Sequence, residues 1–309
     1  MTVQKFGVHT SIAGGLHNAL LAGRRLGCDC LQIFVKNQRQ WRAPPLSPRQ
    51  IEQWHATWKD NPCAPIVAHG TYLVNLAARD RAIRRRSVSA FVDEIRRCAA
   101  LGLTGLVTHP GSHGGAGEAK GVRRVIESLK EILDRTAACQ TKVLLEATAG
   151  QGRSLGHRFE HLAEMLAGVD GTPRVAICLD TCHLHAAGYD LSTRAGYERM
   201  VDDLDRHVGI DRVHCIHTND SLTPAGSKVD RHAHIGHGTI GLEGFRRLLQ
   251  DKRLAAIPKI LETPKETAPD GRDYDAVNLE VLRSLAGRGR AFAVGRVFVA
   301  PSQGQKPPA

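Results

Sequence analysis

The runs PIVAHG (65–70), GLVTHPG (105–111), VLLEAT (143–148), VAICLDTCH (175–183), RVHCIHTND (212–220) and PKILETP (258–264) decide the fold of this chain. Each is short, rich in leucine or β-branched residues and without strict polar alternation, the pattern of strands buried on both faces of a parallel sheet. Each also ends on a metal-binding side chain: His69, His109, Glu146, Asp180 with His183, His217 and Glu262. Such groups, alone at the ends of buried strands, would be costly to desolvate, so they are expected to converge on a cation or on one another.

Working outward, two similar runs come first, FGVHTS (6–11) and CLQIFV (30–35). Segments of helical periodicity lie between the runs, at 14–26, 48–58, 79–101, 121–138, 159–166, 193–207, 242–249 and 274–285. Eight strand-helix units predict an α/β chain folded as a (β/α)8 TIM barrel, with a metal site at the C-terminal rim of the strands, where that fold places its chemistry. The competitor, a doubly wound open sheet, would carry a Gly-rich phosphate turn after its first strand. Ala13-Gly14-Gly15 lacks that full fingerprint, and polar ends on at least six strands suit a closed ring better.

A chain of 309 residues, 42% hydrophobic, fills one such barrel. Residues 1–286 are read as the catalytic domain. The remainder, 287–309, is a basic, Pro/Gln-containing tail whose end is expected to be disordered. MTVQKFGVHTS runs straight into the first strand, without a signal peptide or long apolar span, so a cytoplasmic protein without membrane contact is expected, nucleoid-associated if bacterial. No motif calls for an organic cofactor, and a monomer is the default. The eight cysteines include no CxxC pair, and Cys178, Cys182 and Cys215 read as reduced core thiols. A formal charge of +11 supports a polyanionic partner without identifying one.

The segment VDRHAHIGHG (229–238) adds Asp230 and His232, whose side chains point the same way if the backbone there is extended. Asp180 and His183 sit three apart, so a strand ending between them could aim them at neighbouring ions. Five histidines and four carboxylates then face one mouth, enough for more than one divalent ion, with a carboxylate free to bridge two. His17, His55, His157, His161 and His207 fall on expected helices and are read as solvated. His113, His185, His214, His234 and His237 are read as bystanders or supports.

The motifs AHGTYLVNLA (68–77), THPGSH (108–113), LLEATAGQG (144–152), CLDTCHLHAAGYD (178–190), HTNDS (217–221), VDRHAHIGHG (229–238) and LETP (261–264) together resemble the endonuclease IV family of zinc-dependent apurinic/apyrimidinic endonucleases, over about residues 6–286. The resemblance implies a TIM barrel with three Zn2+ ions, partly replaceable by Mn2+. It implies that His69, His109 and Glu146 hold the first, that Glu146 bridges to a second held also by Asp180, His217 and Glu262, and that His183, Asp230 and His232 hold the third. KNQRQW (36–41) resembles the family's lesion loop, putting Arg39 and Gln40 in the base stack, and Tyr72-Leu73 resembles its minor-groove wedge.

The implied enzyme is a hydrolase of the deoxyribonuclease IV (phage-T4-induced) type, acting in base excision repair of DNA damage. It would cut duplex DNA on the 5′ side of abasic sites, leaving a 3′-hydroxyl and a 5′-deoxyribose phosphate, and also remove 3′-blocking groups. Glu262 is the candidate for orienting or deprotonating the attacking water, with Glu146 mainly the bridge. Three positions depart from the family pattern: Ala147 where Asn is common, Thr218 where Leu is common, and His237 where Glu is common. Two other functions fit the same residues: a xylose-isomerase-like sugar isomerase or epimerase, and a lesion-binding protein without catalysis.

Overall fold

The computed structural model describes residues 3–288. Its barrel strands are β1 (Phe6–His9), β2 (Cys30–Ile33), β3 (Ile66–His69), β4 (Gly105–Thr108), β5 (Lys142–Glu146), β6 (Val175–Asp180) and β7 (Val213–His217). After β7 the chain forms a small antiparallel pair, β8 (Asp220–Ser221) with β9 (His232–Ala233), before β10 (Lys259–Leu261) completes the ring. The eight barrel strands pair in parallel, and β1 on β10 closes the circle, which excludes the open sheet. The tail reading falls, from residue 289 onward, outside the described residues.

The helices are α1 (His17–Leu26), α2 (Pro48–Asp60), α3 (Arg81–Ala100), α4 (Glu118–Arg135), α5 (Phe159–Gly168), α6 (Thr181–Ala187), α7 (Arg194–His207), α8 (Gly241–Gln250) and α9 (Tyr274–Leu285). Their starts follow local chemistry. Ser47 and Gln50 form a reciprocal capping box ahead of Pro48, and the Asp80 carboxylate accepts from the backbone of Ala82 and Ile83. The expected helix from 14 begins three residues later, because Gly14 and Gly15 turn at φ of 76° and 137°. Helix α6 lies outside the expected helical segments: Asp180 ends β6 and caps the next turn through a 2.9 Å bond from His183 N.

Side-chain parity builds the site. One buried cluster, Cys30, Val67, Val107, Leu144, Ala176, Cys178, Cys215 and Ile260, draws its members from seven of the barrel strands and fills the ring. Successive strand side chains alternate faces, so the residue two places on points the same way. Two residues beyond that layer stand Gln32, His69, His109, Glu146, Asp180, His217 and Glu262. His9 holds the same relation to Gly7, where a Cβ would meet the Cys30 carbonyl oxygen at 1.9 Å. The strands' other faces pack under the helices; Trp54 of α2, fully buried there, donates Nε1–H to Leu101 O at 2.9 Å.

Candidate metal centre

The polar layer on top of the barrel separates into three groups of closely spaced donors, within each of which one ligand atom per residue lies within 4.8 Å of the others. They are His69, His109 and Glu146; Glu146, Asp180, His217 and Glu262; and His183, Asp230 and His232. Glu146 belongs to two groups. It is fully buried, and its Oε2 lies 3.2 Å from both His69 Nε2 and His109 Nε2, while Oε1 lies 3.0 Å from His217 Nδ1. His183 Nε2 and His232 Nε2 approach Asp230 at 3.1 and 3.3 Å. Two further close groups contain thiols, Cys178, Cys215 and His217, and Asp180, Cys182 and His232.

The imidazoles are aimed from behind. His69 Nδ1 lies 2.8 Å from Gly70 O, His183 Nδ1 3.0 Å from Ala147 O and His232 Nδ1 3.1 Å from Glu262 O. A carbonyl accepts, so each Nδ1 donates and each Nε2 is the nitrogen turned to the cluster, able to bind a cation once its own proton has left. His217 is turned the other way, with Nε2 donating to Gln32 Oε1 at 2.8 Å and Nδ1 facing the carboxylates. Gln32 then donates from its amide to Glu262 Oε1, which also lies 3.1 Å from His9 Nδ1. Asn219 binds Asp180 Oδ2 at 2.7 Å and accepts from Glu262 N at 2.8 Å. One observation tests the fit of a cation directly: His232 Nε2 is buried without a hydrogen-bond partner among the described residues. A nitrogen lone pair aimed at Asp180 and Asp230 carboxylates is a donor set for a divalent ion.

Burial opposes charge at His183, His217, Glu146 and Glu262, yet their opposite-charge neighbours favour the ionised form of each. For His217 and His183 desolvation is the largest single influence and acts downward. The Glu262 and Glu146 carboxylates beside His217, and Asp180, Asp230 and Glu146 beside His183, together raise both well above the usual 6.5. Burial pushes Glu146 and Glu262 up, but the imidazoles, His217 foremost, hold both well below the usual 4.5.

Outside the nine, Gln32, His9 and Asn219 were missed. His9 ends FGVHTS as His69 ends PIVAHG, and strand parity would have found both it and Gln32. Asn219 sits past β7, where no periodic signal exists. Two histidines read as solvated are otherwise placed: His161 on α5 is buried and lies 3.3 Å from Glu118 Oε2, and His157 is in the preceding loop, half-buried. Both pack in the shelter of the loop after β5, which sequence periodicity does not describe.

The candidate DNA-reading residues ride on two loops. Tyr72 is 68% exposed and leans edge-on against Phe34, whose ring neighbours His69. Leu73 is half-buried, and Arg39 and Gln40 are exposed on a turn closed by Asn37. A buried ion pair ties the loops together. Lys36 Nζ lies 3.0 Å from Glu94 Oε1 on α3, and that carboxylate accepts from Thr71 Oγ1 at 3.0 Å and Thr71 N at 3.2 Å. Lys36 also donates to Trp41 O at 3.1 Å, fixing the far end of the Arg39 turn.

A family described as the xylose isomerase-like TIM barrel matches residues 20–285. A probable endonuclease 4 from Chloroflexus aurantiacus is 47% identical over 283 residues, covering 91% of this chain and 98% of that one. The chain belongs to the endonuclease IV family. Among solved structures, endonuclease IV from Thermus thermophilus is 38% identical, covers 92% of this chain and 99% of that one, and superposes with a TM-score of 0.80. A D-tagatose 3-epimerase-like protein, 22% identical with a TM-score of 0.71 over 92% of this chain and 97% of its own, shares the fold alone.

The three departures from the endonuclease IV motifs leave the supporting backbone in place. Ala147 keeps the carbonyl that aims His183. Thr218 is buried, and its N–H donates to Ile260 O at 2.8 Å. His237 lies between Gly236 and Gly238, whose N–H groups donate to the buried Asp220 carboxylate at 2.9 and 3.1 Å. A Cβ at 238 would sit 2.5 Å from Asp220 Oδ1, so the flanking glycine carries the constraint. Among the described residues no helix is long and apolar enough to cross a membrane.

Proposed function

We propose that this chain is a metal-dependent DNA-repair endonuclease that hydrolyses the phosphodiester 5′ to an abasic site in duplex DNA, leaving a 3′-hydroxyl, and also removes 3′-blocking groups. Membership of the endonuclease IV family supports the reaction class. The observation that carries the metal assignment is the shared carboxylate: among the described residues, Glu146 alone joins the His69–His109 group to the Asp180–His217–Glu262 group. Mixed imidazole and carboxylate donors suit Zn2+, with Mn2+ a tolerable substitute. We assign one ion to each of the three groups, held by His69, His109, Glu146, Asp180, His183, His217, Asp230, His232 and Glu262.

Bound there, the ions would lower the pKa of water towards about 7 and neutralise phosphate oxygens. The residues supply the rest. Glu146 is sealed at the floor, whereas the Glu262 side chain keeps 16% of its surface open and has Oε1 fixed by Gln32 and His9. That leaves Glu262 as the carboxylate able to orient or take a proton from the attacking water, and Glu146 as the bridge. Tyr72 and Leu73 would enter the minor groove as a wedge, with Arg39 and Gln40 filling the stack, and an abasic nucleotide is the cheapest to extrude because it has no base to unpair.

The test is a duplex bearing one tetrahydrofuran abasic analogue, incubated with the protein before and after chelation. Metal-dependent cleavage immediately 5′ of the analogue with a 3′-hydroxyl end is expected, since the analogue cannot undergo β-elimination. Tight lesion binding by fully metallated protein without cleavage would overturn the hydrolytic assignment.

A further inference from the structure

We infer that a basic, aromatic cleft beside the two lesion loops is a second DNA-binding subsite, which holds the phosphodiester backbone of the duplex flank away from the lesion. It rests on the DNA-endonuclease reading for the identity of its ligand. The cleft has a volume of about 590 Å³ and is lined by Trp41, Arg42, Arg85, Arg86, Ser89 and Asp93. Arg85 and Ser89 are one turn apart on α3, and Arg42 comes from the chain just beyond the KNQRQW loop.

Its outward-facing guanidiniums form no ion pair within 4 Å among the described residues, Asp80 acting on Arg85 only from farther away. The one carboxylate in the lining, Asp93, is already engaged by Arg97 Nε at 2.8 Å and by Lys36 Nζ at 3.5 Å. Arg42 and Arg85 are exposed and have no ion-pair partner within 4 Å among the described residues. Arg86 stacks its guanidinium 4.5 Å from the Trp41 ring centre, presenting a flat cationic and aromatic wall. Forked guanidiniums match phosphate oxygens, and an aromatic ring offers a face to a sugar or an unstacked base. The volume exceeds what one small anion fills and lies in the usual range of organic-ligand sites.

Continuity picks out the duplex. Arg39 and Gln40 immediately precede Trp41, and Lys36 holds the Trp41 carbonyl while its Glu94 partner holds the Thr71 backbone ahead of Tyr72. The cleft is therefore tied through buried and part-buried contacts to both elements assigned to the lesion, and its three guanidiniums stand on the chain just after Trp41 and on the helix that carries Glu94.

The discriminating variant is Arg42→Ala/Arg85→Ala, which leaves the Arg86–Trp41 stack and every group of the metal centre untouched. Binding would be followed by anisotropy on intact and tetrahydrofuran-containing duplexes, with arms of either about 15 or about 4 base pairs on each side of the central position, at 3.4 Å per step. The variant is expected to bind both long duplexes at least about tenfold more weakly than wild type. Its log–log salt dependence should be shallower by about 1.8, two phosphate contacts at about 0.9 each, and the short duplexes should bind as to wild type. Unchanged long-duplex binding, or equal losses on long and short arms, would overturn the subsite. So would erasure of the wild-type long-arm advantage by a low-millimolar nucleoside monophosphate, which would make the cleft a free-nucleotide site. Because the intact duplex reads the cleft and the preference for the lesion reads the proposed function, either can fail without the other.

Discussion

Glu146 has no exposed surface and lies within 3.3 Å of four imidazoles, whereas Tyr72, three residues past the His69 strand end, is 68% exposed and rests on two rings. The first region is set by the barrel itself. A strand side chain two residues beyond a filled interior layer has one direction to point, so register and alternation converge the donors with no help from loops. The second region depends on long-range support, supplied by Lys36 and Glu94 from beneath. The donor cluster and the loops proposed to read DNA therefore have separate mechanical foundations, and they should fail separately.

The sharpest separation is expected at Glu262. Glu262→Gln keeps the loops and should retain binding to an abasic duplex while losing incision by at least about a hundredfold, as expected when a group acting in the transition state is removed. Single-turnover cleavage near the wild-type rate would remove Glu262 from the chemistry. Glu94→Ala attacks the other foundation. It leaves Lys36 charged, buried and without its best partner, which should lower unfolding free energy by about 3–5 kcal/mol and weaken lesion binding, with metal content unchanged. Loss of metal together with lesion binding would show that the regions are one unit.

Smaller effects follow at the exposed tips. Tyr72→Ala or Arg39→Ala should weaken abasic-duplex binding about tenfold relative to intact duplex, and equal losses would reduce both to general backbone contacts. The smallest is a pH signature. His183 and His217 are raised when metal-free, so their contribution to stability is complete below 6.5 and is lost as pH climbs through their folded values. Glu146 and Glu262 are depressed, so theirs is present above 4.5 and is lost as pH falls through their folded values. Chelated protein should therefore gain most from this cluster between 4.5 and 6.5. Metal must displace those imidazole protons, so the melting-temperature gain on adding zinc should grow with pH over the same window. A gain independent of pH would mean that the imidazoles do not bind the metal.

The barrel was legible in the sequence because eight apolar runs punctuated by helical stretches leave few alternatives, and a polar residue at a buried strand end is conspicuous. His9 and Gln32 are equally well placed but less conspicuous. FGVHTS stands out for its apolar content, and glutamine carries no metal-ligand signal, although each residue lies two places past an interior position. Helix α6 is hidden because Asp180 doubles as strand end and helix cap, two roles that one residue type does not advertise. The Lys36–Glu94–Thr71 link was not legible at all, since it joins residues up to 58 positions apart through a buried charge pair that no local pattern encodes.

A buried carboxylate shared between ion sites at the barrel rim must show itself in how many ions the protein holds. Metal content by elemental analysis of the purified protein tests it most directly, with wild type beside Glu146→Ala. Close to three zinc ions per chain are expected in wild type, falling towards the single site of His183, Asp230 and His232 in the variant. One ion per wild-type chain, or a variant that keeps all three, would contradict it.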